Sequence, residues 1–421
     1  MQESGSKNIT GGLKNTFSGS KNVRAIIIVA ALGYFVDIYD LILFSIVRVA
    51  SLKGLGIVDD AGLKDTGLML LNMQMAGMLL GGIIWGILGD KRGRISVLFG
   101  SIIMYSVANI LNGMVQDIPQ YAVLRFIAGI GLAGELGAGI TLVSEVMSKE
   151  SRGYGTTIVA TVGILGAVAA ALVADFFEWR TAYYVGGSMG IALLILRIGI
   201  YESGMFKNLQ NENVGRGQFH HLFTSWSRFV KYLRCILIGM PLWFVVGILI
   251  TFSDAFAKYH GISGIAPAKS IMYCYIGLAV GDLSSGYLSQ LFKSRKKIII
   301  SFIIATNVLI FLYLFVNQFG SFYFYSLCMA LGISCGYWAV FVTNASEQFG
   351  TNLRATVTTS VPNFVRGAVV PLSLLFQYLN GYTTIVYSAA IVSGIALFLA
   401  YISVYKMDET YGKDLDYVEM L

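Results

Sequence analysis

Charge is scarce in this chain. Asp, Glu, Lys and Arg make up 13% of its 421 residues against 56% hydrophobic, and mean hydropathy is +0.70. A soluble domain carries about 25% charge, so the composition excludes one and reads as an integral membrane protein. Cysteine is also rare. Cys235, Cys274, Cys328 and Cys335 all fall in apolar runs, so free thiols are expected rather than a disulfide framework. His220 and His221 stand in a polar stretch with no Cys or carboxylate at ligand spacing, which reads as a solvated pair; no metal and no cofactor is expected. No nucleophile–base constellation and no phosphate-cradling glycine loop is present, so an enzyme is excluded. The N-terminus lacks a short apolar core with a cleavage site, so no removable signal peptide is expected.

What the chain has in quantity is long apolar runs. Twelve are long enough to cross about 30 Å of hydrocarbon: residues 25–48, 66–89, 95–115, 119–146, 154–176, 181–200, 233–257, 268–291, 298–317, 321–345, 355–379 and 382–405. The expected fold is an all-α membrane protein of twelve transmembrane helices in two six-helix bundles. Residues 1–23 read as a disordered cytoplasmic tail, 24–200 as the first bundle, 201–232 as a cytoplasmic linker, 233–405 as the second bundle and 406–421 as a cytoplasmic tail. The aromatic and basic second half of the linker, with Trp226, Arg228, Phe229 and Lys231, suits an interfacial amphipathic helix. The net charge of +7 does not point to nucleic acid. With the N-terminus inside, most Lys and Arg fall in the cytoplasmic segments, which places both termini in the cytoplasm of the cell's inner membrane. A monomer in the lipid bilayer is expected.

Ionisable residues inside spans are costly in hydrocarbon and mark function. Asp37 and Asp40 lie three residues apart on one face of the first span, at depths of about 18 and 22 Å. Two carboxylates that close in oil cannot both hold a charge comfortably, so one is expected to carry a proton. Arg125 in the fourth span lies at a similar depth to Asp40, and Glu135 follows it among glycines that leave the helix thin; Glu135 suits a coupling carboxylate and a helix–helix tie equally. Arg366 lies about 17 Å into the eleventh span, flanked by Pro362, Asn363 and Gly367, the pattern of a discontinuous, substrate-facing helix. Its alternative role is a tie to Asp254, Asp282 or a carbonyl. Arg125 and Arg366, from opposite halves, can clamp carboxylates, so a polycarboxylate would suit them best. Tyr39, Gln74, Tyr337, Trp338, Asn344 and Asn363 are further candidates for the pocket wall. Arg48 and Arg197, near helix ends, are expected to snorkel.

Two repeats tie the halves together. GMLLGGIIWGILGDKRGR, from Gly77 to Arg94, has its counterpart two hundred positions later in GLAVGDLSSGYLSQLFKSRKK, where Gly277, Gly281 and Gly286 take the places of Gly77, Gly81 and Gly86. Glu145 precedes Arg152 by seven positions, and Glu347 precedes Arg354 by the same interval. These pairs, with Asp90 and Arg94, are expected to form ion pairs at the cytoplasmic edge that break and re-form as a gate.

The stretch from Gly86 to Arg94 resembles the loop signature of the major facilitator superfamily, G-x-x-x-D-[RK]-x-G-[RK], matched by Gly86, Asp90, Lys91, Gly93 and Arg94. GYFVDIYDLILF and RFIAGIGLAGELGAGITLVSEVMSKESRG are similar to patterns of the metabolite:proton symporter branch, with Ile38 in place of a Trp and Ala133 in place of a Gly. The ETYGKDLDYVE tail resembles a family signature too. The resemblance implies proton-driven uptake of a small polar metabolite by alternating access, with protons and a small molecule as partners. A drug:proton antiporter is the chief rival, but the fifth span lacks the proline of its G-P-x-x-G-G signature. A sugar porter is weakened by Thr141, which stands where the sugar-porter signature before Glu145 has a proline. A non-transporting nutrient sensor stays open, and a channel is disfavoured by the repeat.

Overall fold

The computed structural model describes residues 21–92, 94–137, 139, 143, 152–201, 219–315 and 320–413. Hydrocarbon offers no partner to a backbone amide, so the apolar runs become helices that satisfy their own hydrogen bonds. In the first half these are α1 (Lys21–Gly54), α2 (Asp60–Arg92), α3 (Arg94–Asn112), α4 (Ile118–Leu132), α5 (Arg152–Phe176) and α6 (Trp179–Tyr201). The second half opens with α7 (Trp226–Phe244), which passes through a π-helical segment, Val245–Ile250, into α8 (Ser253–Tyr259). Then follow α9 (Pro267–Leu291), α10 (Arg295–Phe315), α11 (Gly320–Cys335), α12 (Trp338–Glu347), α13 (Thr351–Gly367), α14 (Val369–Asn380) and α15 (Ile385–Tyr405). Taking α7 with α8, α11 with α12 and α13 with α14 as single crossings recovers the order of spans expected from hydropathy. The protein is a multi-pass, all-α membrane protein. Nine helices among the described residues are long and apolar enough to cross a bilayer, and α3 is a shorter apolar one.

The glycine repeat is a packing repeat. A Cβ on Gly77 or Gly81 of α2 would collide with the backbone of Phe126 or Ile130 in α4; one on Gly277 or Gly281 of α9 would collide with Met329 or Ile333 in α11. Both halves therefore use the same close crossing, in which missing side chains let two backbones touch. The halves meet where α5 and α1 pack on α9, and where α13 and α14 pack on α2.

Three local features differ from the sequence expectation. The aromatic and basic stretch from Trp226 is the start of α7 itself, running unbroken into the membrane, because its apolar face continues that of the seventh span. The fourth span does not run straight to residue 146: α4 ends at Leu132, with a turn at residues 133–134, where glycines stand on both sides of Ala133. The eleventh span is only lightly interrupted, since Ala368 keeps near-helical angles (φ −63°, ψ −16°). The larger irregularities lie in the seventh span, where Pro241 lacks an N–H and the helix widens to π, and in the tenth, broken at Gly336 and Tyr337. Carbonyls in the widened segment are taken up by hydroxyls: Thr251 donates to Val246 O at 2.8 Å and Tyr313 to Leu249 O at 2.9 Å.

Candidate functional site

Two buried polar clusters sit one helical turn apart along α1. The first joins the halves. Arg366 of α13 approaches Asp37 of α1, Nη2 to Oδ2, at 3.8 Å, and both side chains are fully buried. The guanidinium lies 5.6 Å from the ring centre of Trp243 on α7 and 5.9 Å from that of Trp338 on α12, within cation–π range. The two indoles meet edge to face at 6.3 Å, and Phe341 packs on Trp338 at 5.3 Å. Tyr34, one turn before Asp37, lies within electrostatic range of Arg366, Asp37 and Asp282. Neither oxygen of Asp37 and none of the guanidinium nitrogens of Arg366 has a hydrogen-bond partner among the described residues. Groups this deep in hydrocarbon are normally bonded, so the pair is electrostatically matched but geometrically open.

The second cluster belongs to the first half alone. Arg125 donates to Gln74 Oε1 and lies 4.7 Å from the centre of the Phe44 ring. Gln74 in turn donates to Leu41 O at 3.1 Å. Asp40 is fully buried beside Asn109, within electrostatic range of Asp37 and Arg125. Tyr121 and Tyr183 share a 2.6 Å hydroxyl bond nearby.

Other sequence candidates are engaged elsewhere. Tyr39 donates to Ala182 O at 3.0 Å and Tyr337 to Ile238 O at 3.0 Å, each within its own half. Asn363 reaches across the halves to Ala133 O at 2.7 Å. Asn344 accepts the Thr410 hydroxyl at 3.0 Å, at the end of the bundle that carries the termini. Glu347 pairs with Arg295 at 3.6 Å. The side chains of Asp90, Arg94, Glu145, Arg152 and Arg354 lie outside the described residues.

Two arginines correct the snorkelling expectation. Arg197 is 1% exposed and forms a two-pronged pair with Glu135, one arm at 3.0 Å; a Cβ on Gly33 would collide with both partners. Arg48 is equally buried and bonds Asp254 of the second half at 2.7 Å and Leu63 O at 3.1 Å. Each has a carboxylate at its own depth, which neutralises the charge where it stands and removes the reason to reach for water. At the Arg48 end, far from the termini, the halves are also tied by Lys258 to Asp60, by Ser373 to Asn72 at 2.7 Å and by Gln377 to Asp65 at 3.2 Å.

Sequence reasoning missed Trp243 and Tyr34 and weighed Asp282 only as a tie for Arg366. The signal for Trp243 was Pro241, two residues earlier inside an apolar run, and Asp282 is itself a lone acid in mid-span.

Set against known families, residues 30–373 match the family model described as Major Facilitator Superfamily. The chain belongs to the major facilitator superfamily. A protein of Bacillus subtilis (strain 168) named for niacin/nicotinamide transport, NiaP, is 25% identical over 362 residues, covering 82% of this chain and 85% of that one. The cis,cis-muconate transport protein of Acinetobacter baylyi is 24% identical over 389 residues, covering 86% and 89%. Among solved structures, the proton:xylose symporter XylE bound to 6-bromo-6-deoxy-D-glucose superposes with a TM-score of 0.69 at 14% identity over 94% of this chain and 98% of that one, a likeness of fold. The chain is a transporter of small molecules and not an enzyme.

Proposed function

We propose that this protein is a proton-coupled symporter that imports a small organic acid, with one carboxylate of the substrate bound at Arg366 and its flat body against Trp243 and Trp338. The observation that carries this reading is the Asp37–Arg366 pair: a single contact at 3.8 Å, across the two halves, with unbonded nitrogens and oxygens on both sides. A substrate carboxylate is a better partner for the guanidinium than this offset contact, because it can offer two parallel acceptors. On binding it takes Arg366 from Asp37. Asp37 is then an uncompensated carboxylate in a dry site and takes a proton, so anion and proton are bound together with no net charge left behind. The reverse exchange, with Arg366 returning to Asp37, releases both.

Arg125 of α4, near Asp40 one turn further along α1, offers a second cation for a dicarboxylate. Glu135, held by Arg197, supports the frame rather than the proton step. The ties at the end far from the termini and the Glu347–Arg295 pair at the other end serve as gates. The placement of Lys and Arg supports an orientation with both termini in the cytoplasm; inward transport by a monomer in the inner membrane is part of the same proposal. Names of relatives, which include niacin and cis,cis-muconate, support a planar carboxylate as cargo.

The test is uptake of radiolabelled nicotinate, benzoate and cis,cis-muconate into proteoliposomes under an imposed pH gradient. Asp37→Asn abolishes accumulation against a gradient while sparing exchange of internal for external substrate. Uphill uptake that persists in this variant overturns the coupling role of Asp37. In proton-loaded vesicles, where protons run outward, a symporter carries substrate out with them; accumulation of substrate inside such vesicles would favour an antiporter.

A further inference from the structure

Asp282 is a fully buried acid in the middle of α9 that the proposed exchange does not use. Its Oδ1 accepts the backbone N–H of Ala339 at 3.0 Å, and its Oδ2 has no partner among the described residues. Ala339 is the second residue of α12, the helix that restarts after the tenth span breaks at Gly336 and Tyr337. The residue before that helix, Tyr337, makes no side-chain cap of its own. A helix start leaves amides without intrahelical partners, and in hydrocarbon no water replaces them. The cap is therefore supplied from another span. It can reach because Gly281 and Gly336 bring the two backbones into contact: a Cβ on Gly336 would fall on the main chain of Gly281 and Asp282. The residue this cap seats at the first position of α12 is Trp338, which faces Arg366 and Trp243.

We propose that Asp282 is a positioning residue: by capping α12 from α9 across the Gly281–Gly336 contact, it holds Trp338 against Arg366 and so sets the affinity of the site for its carboxylate. The inference rests on Arg366 as the substrate cation. Asp282 does not touch the cargo. It fixes the start of a broken helix whose first side chain forms a wall of the cage, so that an acceptor oxygen at this place matters more than a charge.

Two measurements on the full-length protein test this: hydrogen exchange of the Trp338–Val342 amides, which needs no substrate, and the KM and Vmax for nicotinate exchange in proteoliposomes. Asp282→Leu removes the acceptor and is expected to raise amide exchange and KM each by about tenfold, with Vmax changed less than about twofold. Asp282→Asn keeps an acceptor oxygen and stays within about threefold of the parent on both readouts. Asp282→Ser, polar but one bond too short to reach Ala339, behaves like the Leu variant and substitutes for it should that one fail to fold. Unchanged exchange and KM in the Leu or Ser variant overturns the proposal. So does an Asn variant as impaired as the Leu one, because the charge would then be what matters. If the parent binds none of nicotinate, benzoate or cis,cis-muconate, the carboxylate reading of Arg366 fails, while the amide exchange still decides whether Asp282 holds α12.

Discussion

Among the described residues, two Arg–carboxylate pairs are buried on both sides, and they are built differently. Glu135 and Arg197 belong to one half, meet through two contacts and are 1% exposed each. Asp37 and Arg366 come from different halves, meet at a single 3.8 Å approach and have no hydrogen bond to any described residue. The first arrangement has no better partner available to either side chain and so holds helices together. The second keeps both partners open to exchange. An ion pair in oil is a fixed strut when its geometry is complete and an exchangeable contact when it is not.

Breaking the strut is expected to give the largest effect. Glu135→Gln leaves Arg197 charged and buried without its anion, which costs about 3–5 kcal/mol; a collapse in thermal stability of the purified protein, with loss of membrane accumulation, is the measurement. Arg366→Lys is expected to act on function instead. It keeps the charge but loses the planar fork, weakening carboxylate binding by about 2 kcal/mol, roughly thirtyfold in KM, with a melting temperature within a few degrees of the parent's. Stability lost in both variants, or in neither, would erase the contrast between the pairs.

Smaller effects sharpen the contrast from outside the membrane. Glu409, just after α15, has a carboxyl that partial burial pushes up, but the Ser294 hydroxyl and the amides of Arg295, Tyr411 and Lys296 outweigh this and hold it below the ordinary range. A depressed folded value means that its contribution is present above the unfolded value of about 4.3 and lost as pH falls through the folded one. Protection of the amides across residues 406–413, taken relative to the intrinsic exchange rate at each pH, should therefore fall below about pH 4 and stay level between about pH 5 and 8. Lys258→Ala is expected to leave thermal stability unchanged within error, because its pair with Asp60 is solvent-exposed on both sides and water screens it.

Much of the architecture was legible in the residue order. Span number, the twofold repeat and the glycine positions follow from hydropathy and small-residue spacing, and Asp37, Arg125 and Arg366 stand out because charge in oil is rare. The pairing of those charges was not legible. Arg366 had Asp254 and Asp282 as plausible partners in its own half, yet Asp254 holds Arg48 and Asp282 caps α12. Nor did the chain advertise that the strongest irregularities fall at Pro241 and Gly336 rather than at Pro362, since a proline's effect depends on which neighbouring hydroxyls and carboxylates can take up the groups it frees.

Residue order alone determined that this chain enters a bilayer as a series of apolar helices, because burial of apolar side chains and satisfaction of backbone amides are local demands that each segment meets by itself. Tertiary structure alone decided which acid meets which arginine and which broken helix is capped from which neighbour. Those choices depend on distances of a few ångströms between segments far apart in the chain, where a Coulomb or hydrogen-bond energy changes severalfold and no local pattern records it.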